Sequence, residues 1–156
     1  MDAQTAAREM MAMTGIEGLR AMMAGAFPPP SIALTLGFLL TEVSEGYALF
    51  EGEPSERILN PMGIVHGGWA LTLIDSCCGC AGHTLLPAGV GYGTLETKVN
   101  FVRTIKADTG RVRAEGRVLA HGRTIITSEG KIIDANGRLL AHGTSTCMIQ
   151  RPEKQS

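Results

Sequence analysis

Aromatic side chains are scarce in this chain, at 4% of 156 residues. A core must therefore be filled by Leu, Ile, Val, Met and Ala, which the 44% hydrophobic content supplies. Neither sign of charge dominates: 14 Lys and Arg face 15 Asp and Glu, for a formal net charge of -1. With no long basic run, a nucleic-acid footprint is excluded. Of the four cysteines Cys77, Cys78, Cys80 and Cys147, three crowd one short stretch. That pattern suits neither a disulfide framework nor a metal site, so reduced thiols in a cytoplasmic protein are expected. The opening MDAQTAAREMMAMTG has no basic segment followed by an apolar run, so it does not read as a secretory signal. The longest uncharged stretches hold Gly, Pro, Ser or His, and no transmembrane helix is expected.

The most informative absence is local. From His66 to Leu86 the chain reads HGGWALTLIDSCCGCAGHTLL, with no Lys, Arg or Glu, and with Asp75 as its only formal charge. A helix without a charged face has no solvent side and should be buried nearly all round. An isolated carboxylate in such a helix is costly unless it is hydrogen-bonded, paired or used.

One domain is the default at this length. Residues 2–24, rich in Ala, Met, Glu and Arg, predict an N-terminal helix, ended by the stiff Phe27-Pro28-Pro29-Pro30 connector. The apolar run Ile32–Val43, a turn at Glu45-Gly46 and Tyr47–Glu51 predict a β-hairpin. An irregular loop, Pro54–Val65, leads into the buried helix. Four strands follow, over 93–103, 110–119, 123–134 and 138–149, with the Asn136-Gly137 dipeptide a strong hairpin signal. In the first of these, Leu95, Thr97, Val99 and Phe101 share one face; in the second, Val112, Ala114, Gly116 and Val118 oppose Arg111, Arg113, Glu115 and Arg117. Short turns predict that these four strands are antiparallel neighbours. The sheet must curl around the helix, or a partner must cover what the sheet leaves open.

At 3.6 residues per turn, Gly68, Thr72, Asp75, Gly79 and Gly82 form one small, polar stripe, beside an apolar stripe of Leu71, Ile74, Cys78 and Leu85. The helix start at His66-Gly67-Gly68 offers backbone N–H groups and a positive dipole end, suited to a carbonyl oxygen becoming an oxyanion. Asp75 lies roughly 10 Å further along the helix. Both groups reach one carbonyl only if a second copy of the helix runs antiparallel alongside, so a catalytic reading requires a homodimer.

Asn60-Pro61-Met62-Gly63-Ile64-Val65-His66-Gly67-Gly68, followed by Asp75, resembles the signature of hotdog-fold acyl-CoA thioesterases of the phenylacetate-degradation (PaaI-like) type. Thr94–Arg103 (TLETKVNFVR) and the turn Ala120-His121-Gly122-Arg123-Thr124 are similar too. The likeness spans roughly Ser31 to Ile149 and leaves the N-terminal helix outside it. It implies an α+β hotdog domain over 31–150: a curved antiparallel sheet wrapped around a long central helix, with residues 1–30 as an added helix and connector. It implies homodimers, often paired into homotetramers, and hydrolysis of an acyl-CoA to free acid and CoA, with CoA part of the substrate and no cofactor. By resemblance, Asp75 is the general base or nucleophile, and Gly67 the N–H that polarises the thioester carbonyl. Asn60, from the opposite subunit, orients water or substrate. Thr94 helps to place the reacting group, and His66 serves orientation. Gly68, Arg103, Arg123 and Thr124 are the substrate and CoA contacts it implies, Arg123 on a nucleotide-contacting turn.

Other readings stay open on the residues alone. Cys77, Cys78 and Cys80 read as small core residues. The Met10-Met11-Met13 and Met22-Met23 groups read as packing or as lining for an acyl pocket, and Trp69 suits an aryl or medium acyl chain. His66 with Asp75 also fits a hydratase or dehydratase acting on an enoyl or 3-hydroxyacyl thioester. A module that binds acyl-CoA without reacting is the third reading.

Overall fold

Two glycines set how close the central helix comes to the sheet. The structure, a computed structural model, describes residues 1–152. In it α4 (Gly67–His83) is held by a curved, six-stranded antiparallel sheet. The strands are β1 (Phe38–Ser44), β2 (Tyr47–Gly52), β3 (Gly91–Phe101), β4 (Val112–His121), β5 (Ile125–Ile133) and β6 (Leu139–Gln150), in the order β1-β2-β4-β5-β6-β3. Gly116 of β4 and Gly130 of β5 are direct cross-strand partners beneath the helix. A Cβ on Gly116 would run into the Cys77 carbonyl and come within 2.8 Å of the Cys78 nitrogen; one on Gly130 would lie 3.1 Å from the sulfurs of Cys77 and Cys78. Their absence lets the helix backbone settle against the strands. Leu73, Ile74, Cys77, Cys78 and Ala81 are then fully enclosed by Ala48, Phe50, Val112, Ala114 and Ile132. This is the hotdog arrangement expected from the sequence, and β4 buries Val112, Ala114 and Gly116 while Arg111, Arg113 and Arg117 stay outside.

Four expectations are corrected. The N-terminal helix is two helices, α1 (Ala3–Met11) and α2 (Gly15–Met23), because Glu17 accepts from the Thr14 N–H and hydroxyl and starts a new helix there. The run expected to begin a strand at Ile32 opens as α3 (Ser31–Leu36). Pro30 caps its start, and Gly37 ends it at φ 72°, a left-handed conformation natural to glycine. Strand β3 is not beside β4. It crosses to the far edge and pairs with β6, which has the length to match it. Lastly, α4 is not covered on every side: Gly68, Thr72, Asp75 and Ser76 are half-buried and Leu71 is 40% exposed, because neither sheet edge closes over that face. On the edge strand β3, Leu95 and Phe101 are 56% and 61% exposed, and the Phe101 ring lies against Gly67 at the start of α4.

Candidate active site

Asp75 projects from the middle of α4 toward β3. Its Oδ1 accepts hydrogen bonds from the hydroxyls of Thr94 (3.0 Å) and Thr97 (3.1 Å), and Oδ2 accepts none from the described residues. On a regular strand, residues three apart face opposite sides. Here the pairing of β3 with β6 slips between Thr94 and Glu96. Leu95 is the extra residue of that bulge, so both threonines reach the same carboxylate. Thr97 is linked in turn to the Ser145 hydroxyl at 3.0 Å, and Ser145 reaches the Glu96 carbonyl at 3.2 Å. The chain of hydroxyls fixes one oxygen of Asp75 and leaves the other without a donor among the described residues. Thr97 was missed in the sequence because period-two reading assigns it to the face opposite Thr94; a bulge leaves no simple signal.

Asp75 and Thr94 open into a cavity of about 190 Å³ whose walls include Met22, Pro29, Phe38 and Tyr92. Asp75 is the only charged residue lining it. Burial pushes the Cys80 thiol up to about 12 and raises the Tyr92 phenol well above its ordinary range. Both stay neutral near pH 7. Trp69 is not in this cavity. It is 3% exposed, and its indole N–H donates to the Leu36 carbonyl at 2.8 Å, which pins α3 to α4.

A second hollow, of about 320 Å³, lies at the start of α4 and is lined by Asn60, His66, Gly67, Phe101 and Arg103. His66 is the N-cap: its Nδ1 accepts from the Gly68 N–H at 2.8 Å and its carbonyl from the Trp69 N–H at 3.0 Å. The expected set of open N–H groups is thereby reduced. Gly68 is satisfied, and Gly67 is the one whose N–H meets no acceptor among the described residues. With Nδ1 accepting, the neutral His66 ring carries its proton on Nε2. A Cβ on Gly67 would come within 2.9 Å of the tip of the Phe101 ring, so the two residues are in close contact there. Asn60 spends its Oδ1 on the Met62 and Ile64 N–H groups (2.9 and 3.3 Å), which leaves its amide N–H₂ as the group free to donate. Arg103 donates to the Leu139 carbonyl at 2.7 Å.

The sequence candidates thus fall into separate places within one protomer. Asp75 and Thr94 line one hollow; Asn60, His66, Gly67 and Arg103 line another. Gly67 and Asp75 are eight residues apart, or roughly 12 Å along the helix. Arg123 and Thr124 sit on the exposed β4–β5 turn, next to Ile126, which packs on Gly82 at the other end of α4 from Gly67. Cys77 and Cys78 pack beneath the helix while Cys80 lies on the side of Tyr92. Arg117 stacks over the Tyr47 ring at 4.5 Å.

Comparison with known proteins bears on the family and the fold. The family model of the thioesterase superfamily matches residues 62–141. A protein of Saccharolobus solfataricus assigned as an esterase is 32% identical over 114 residues, 73% of this chain and 79% of its own. The 1,4-dihydroxy-2-naphthoyl-CoA hydrolase of Listeria monocytogenes is 26% identical over 121 residues, 77% of this chain and 96% of its own. Among solved structures, a phenylacetic acid degradation-related protein of Ralstonia eutropha, assigned as a thioesterase, superposes with a TM-score of 0.76. It is 29% identical and covers 83% of this chain and 98% of its own.

Proposed function

This chain belongs to the thioesterase superfamily and is a thioester hydrolase. From that premise we propose that it hydrolyses acyl-CoA thioesters carrying a small aryl or a short to medium acyl group, in a homodimer whose sites each draw on both subunits. The observation that carries this reading is Asp75: a carboxylate with one oxygen held by two threonines, the other free, and an apolar cavity at its side.

In this mechanism the thioester carbonyl of the bound substrate lies at the start of α4 in one subunit, where the Gly67 N–H donates to its oxygen. The acyl group extends to Asp75 of the other subunit. Asp75 Oδ2 takes a proton from water as the water oxygen bonds to the carbonyl carbon. Charge moves onto the carbonyl oxygen, where one well-aimed N–H lowers the barrier by roughly 3 kcal/mol. The tetrahedral intermediate collapses, the C–S bond breaks, and the proton held by Asp75 passes to the departing CoA sulfur. Asn60 and the His66 Nε2–H, beside Gly67, orient water and substrate. A carboxylate short enough to leave room for water favours this general-base route over direct attack by Asp75. The open face of α4 and the unpaired outer edge of β3, with Leu71, Leu95 and Phe101 exposed there, suit a second copy laid antiparallel alongside. Arg103 and Arg123 are the cations offered to the CoA phosphates.

A hydratase would need an acid–base histidine beside the carboxylate. His66 instead spends Nδ1 on the Gly68 N–H, so its ring has no free lone pair to act as a base, which favours hydrolysis. The test is release of free CoA from benzoyl-, phenylacetyl-, hexanoyl-, decanoyl- and crotonyl-CoA, followed by chromatography. Release from the small acyl groups, with the crotonyl double bond unhydrated, is expected. Loss of the enoyl absorbance without free CoA would assign the hydratase reading, and tight binding without turnover would assign the carrier.

A further inference from the structure

We propose that the segment before the sheet, α2 with the proline connector, is the acyl-size gauge of the enzyme. The inference rests on the thioesterase reading and narrows its substrate class. The cavity beside Asp75 is not made by the sheet and α4 alone: Met22 of α2 and Pro29 and Pro30 of the connector line it together with Phe38 and Tyr92. These three residues lie outside residues 62–141, where the thioesterase family model matches.

The segment is fastened where a gauge must be rigid. Leu19 of α2 is buried in the main core. Gly15 meets the carbonyl of His83 at the end of α4 so closely that a Cβ would collide with it, and the Gly15 N–H donates to the Leu86 carbonyl at 2.9 Å. The prolines have fixed φ, which stiffens the connector. Met22, half-buried and flexible, is the adjustable element of the wall.

The cavity measures about 190 Å³. An apolar protein cavity of about 150 Å³ holds one benzene molecule, so this pocket takes a single aromatic ring or a chain of about six carbons. With Asp75 and Thr94 at one side and no other charge in its lining, it suits an uncharged acyl group whose carbonyl end stays near the carboxylate. The chemical class is therefore a one-ring aryl or short-chain acyl thioester. Two-ring and long-chain acyl groups are turned away by Met22 and the prolines.

The test compares wild type, Met22→Ala and Met22→Phe by kcat/KM on hexanoyl-, benzoyl- and decanoyl-CoA. Wild type should favour hexanoyl over decanoyl by about tenfold or more, the scale on which a hydrophobic pocket rejects excess methylenes. Met22→Ala should raise the decanoyl-to-hexanoyl ratio about tenfold, and Met22→Phe should lower the benzoyl-to-hexanoyl ratio. Unchanged ratios in both variants overturn the gauge while leaving the thioesterase standing. Absence of turnover by wild type on every thioester overturns the thioesterase reading itself. Thermal melts establish folding, and if one variant unfolds the ratio in the other decides.

Discussion

Asp75→Asn lowers kcat by about a thousandfold, the middle of the range for losing a positioned general base. The amide keeps the shape of the carboxylate. Its oxygen still accepts from the Thr94 and Thr97 hydroxyls, whose bonds to Oδ1 are 3.0 and 3.1 Å. What changes is the free atom: an N–H₂ replaces Oδ2 and has no lone pair for the proton of water. The melting temperature and KM should therefore stay near those of wild type while CoA release collapses. Free CoA is measured by chromatography, which separates it from the four thiols that the protein itself carries. A variant that keeps a tenth or more of wild-type kcat would remove Asp75 from the mechanism.

The second large effect is on stability. Gly116→Ala places a methyl group against the Cys77 carbonyl, a backbone atom in the middle of α4 that no rotamer change moves aside. The helix must lift from β4 and β5, and the packing of Leu73, Ile74 and Cys78 loosens with it. Overpacking of a well-filled core costs up to about 3 kcal/mol, and a clash with backbone lies at that upper end. For a domain of this size that lowers Tm by roughly 6–12 °C. Gly25→Ala is the contrast for crowding: a Cβ there meets nothing within 4 Å, although its φ of 84° carries a conformational cost. If Gly116→Ala melts within about 2 °C of wild type, the close seat of the helix is not what these glycines provide.

The central helix was readable because its chemistry is one-dimensional. An uncharged run with one carboxylate and a His-Gly-Gly start can be read without knowing what packs on it. The same run misled on burial: missing charges imply cover, but part of that cover is absent from the protomer, where Leu71 is 40% exposed. Thr94 came from resemblance and Thr97 did not come at all, because the bulge at Leu95 changes which residues share a face. Two signals were present in the sequence. Thr14 and Glu17 form a capping box inside what composition reads as one helix, and Pro30 with Gly37 brackets the turns of α3 inside what looks like a strand. Strand order was not local information. Short connections suggested neighbours, and only the long-range pairing of β3 with β6 sends β3 to the edge.

That edge carries the central claim, that one site is built from Asp75 of one subunit and Asn60 with Gly67 of another. The direct test coexpresses Asp75→Asn and Asn60→Ala chains under two different tags, purifies the doubly tagged species and measures CoA release. Each parent alone has both sites damaged. A mixed dimer has both lesions in one site and the other site intact, so it should recover about half of the wild-type kcat, as two-fold symmetry requires. A doubly tagged species no more active than its parents would contradict a shared site and place the whole reaction within a single subunit.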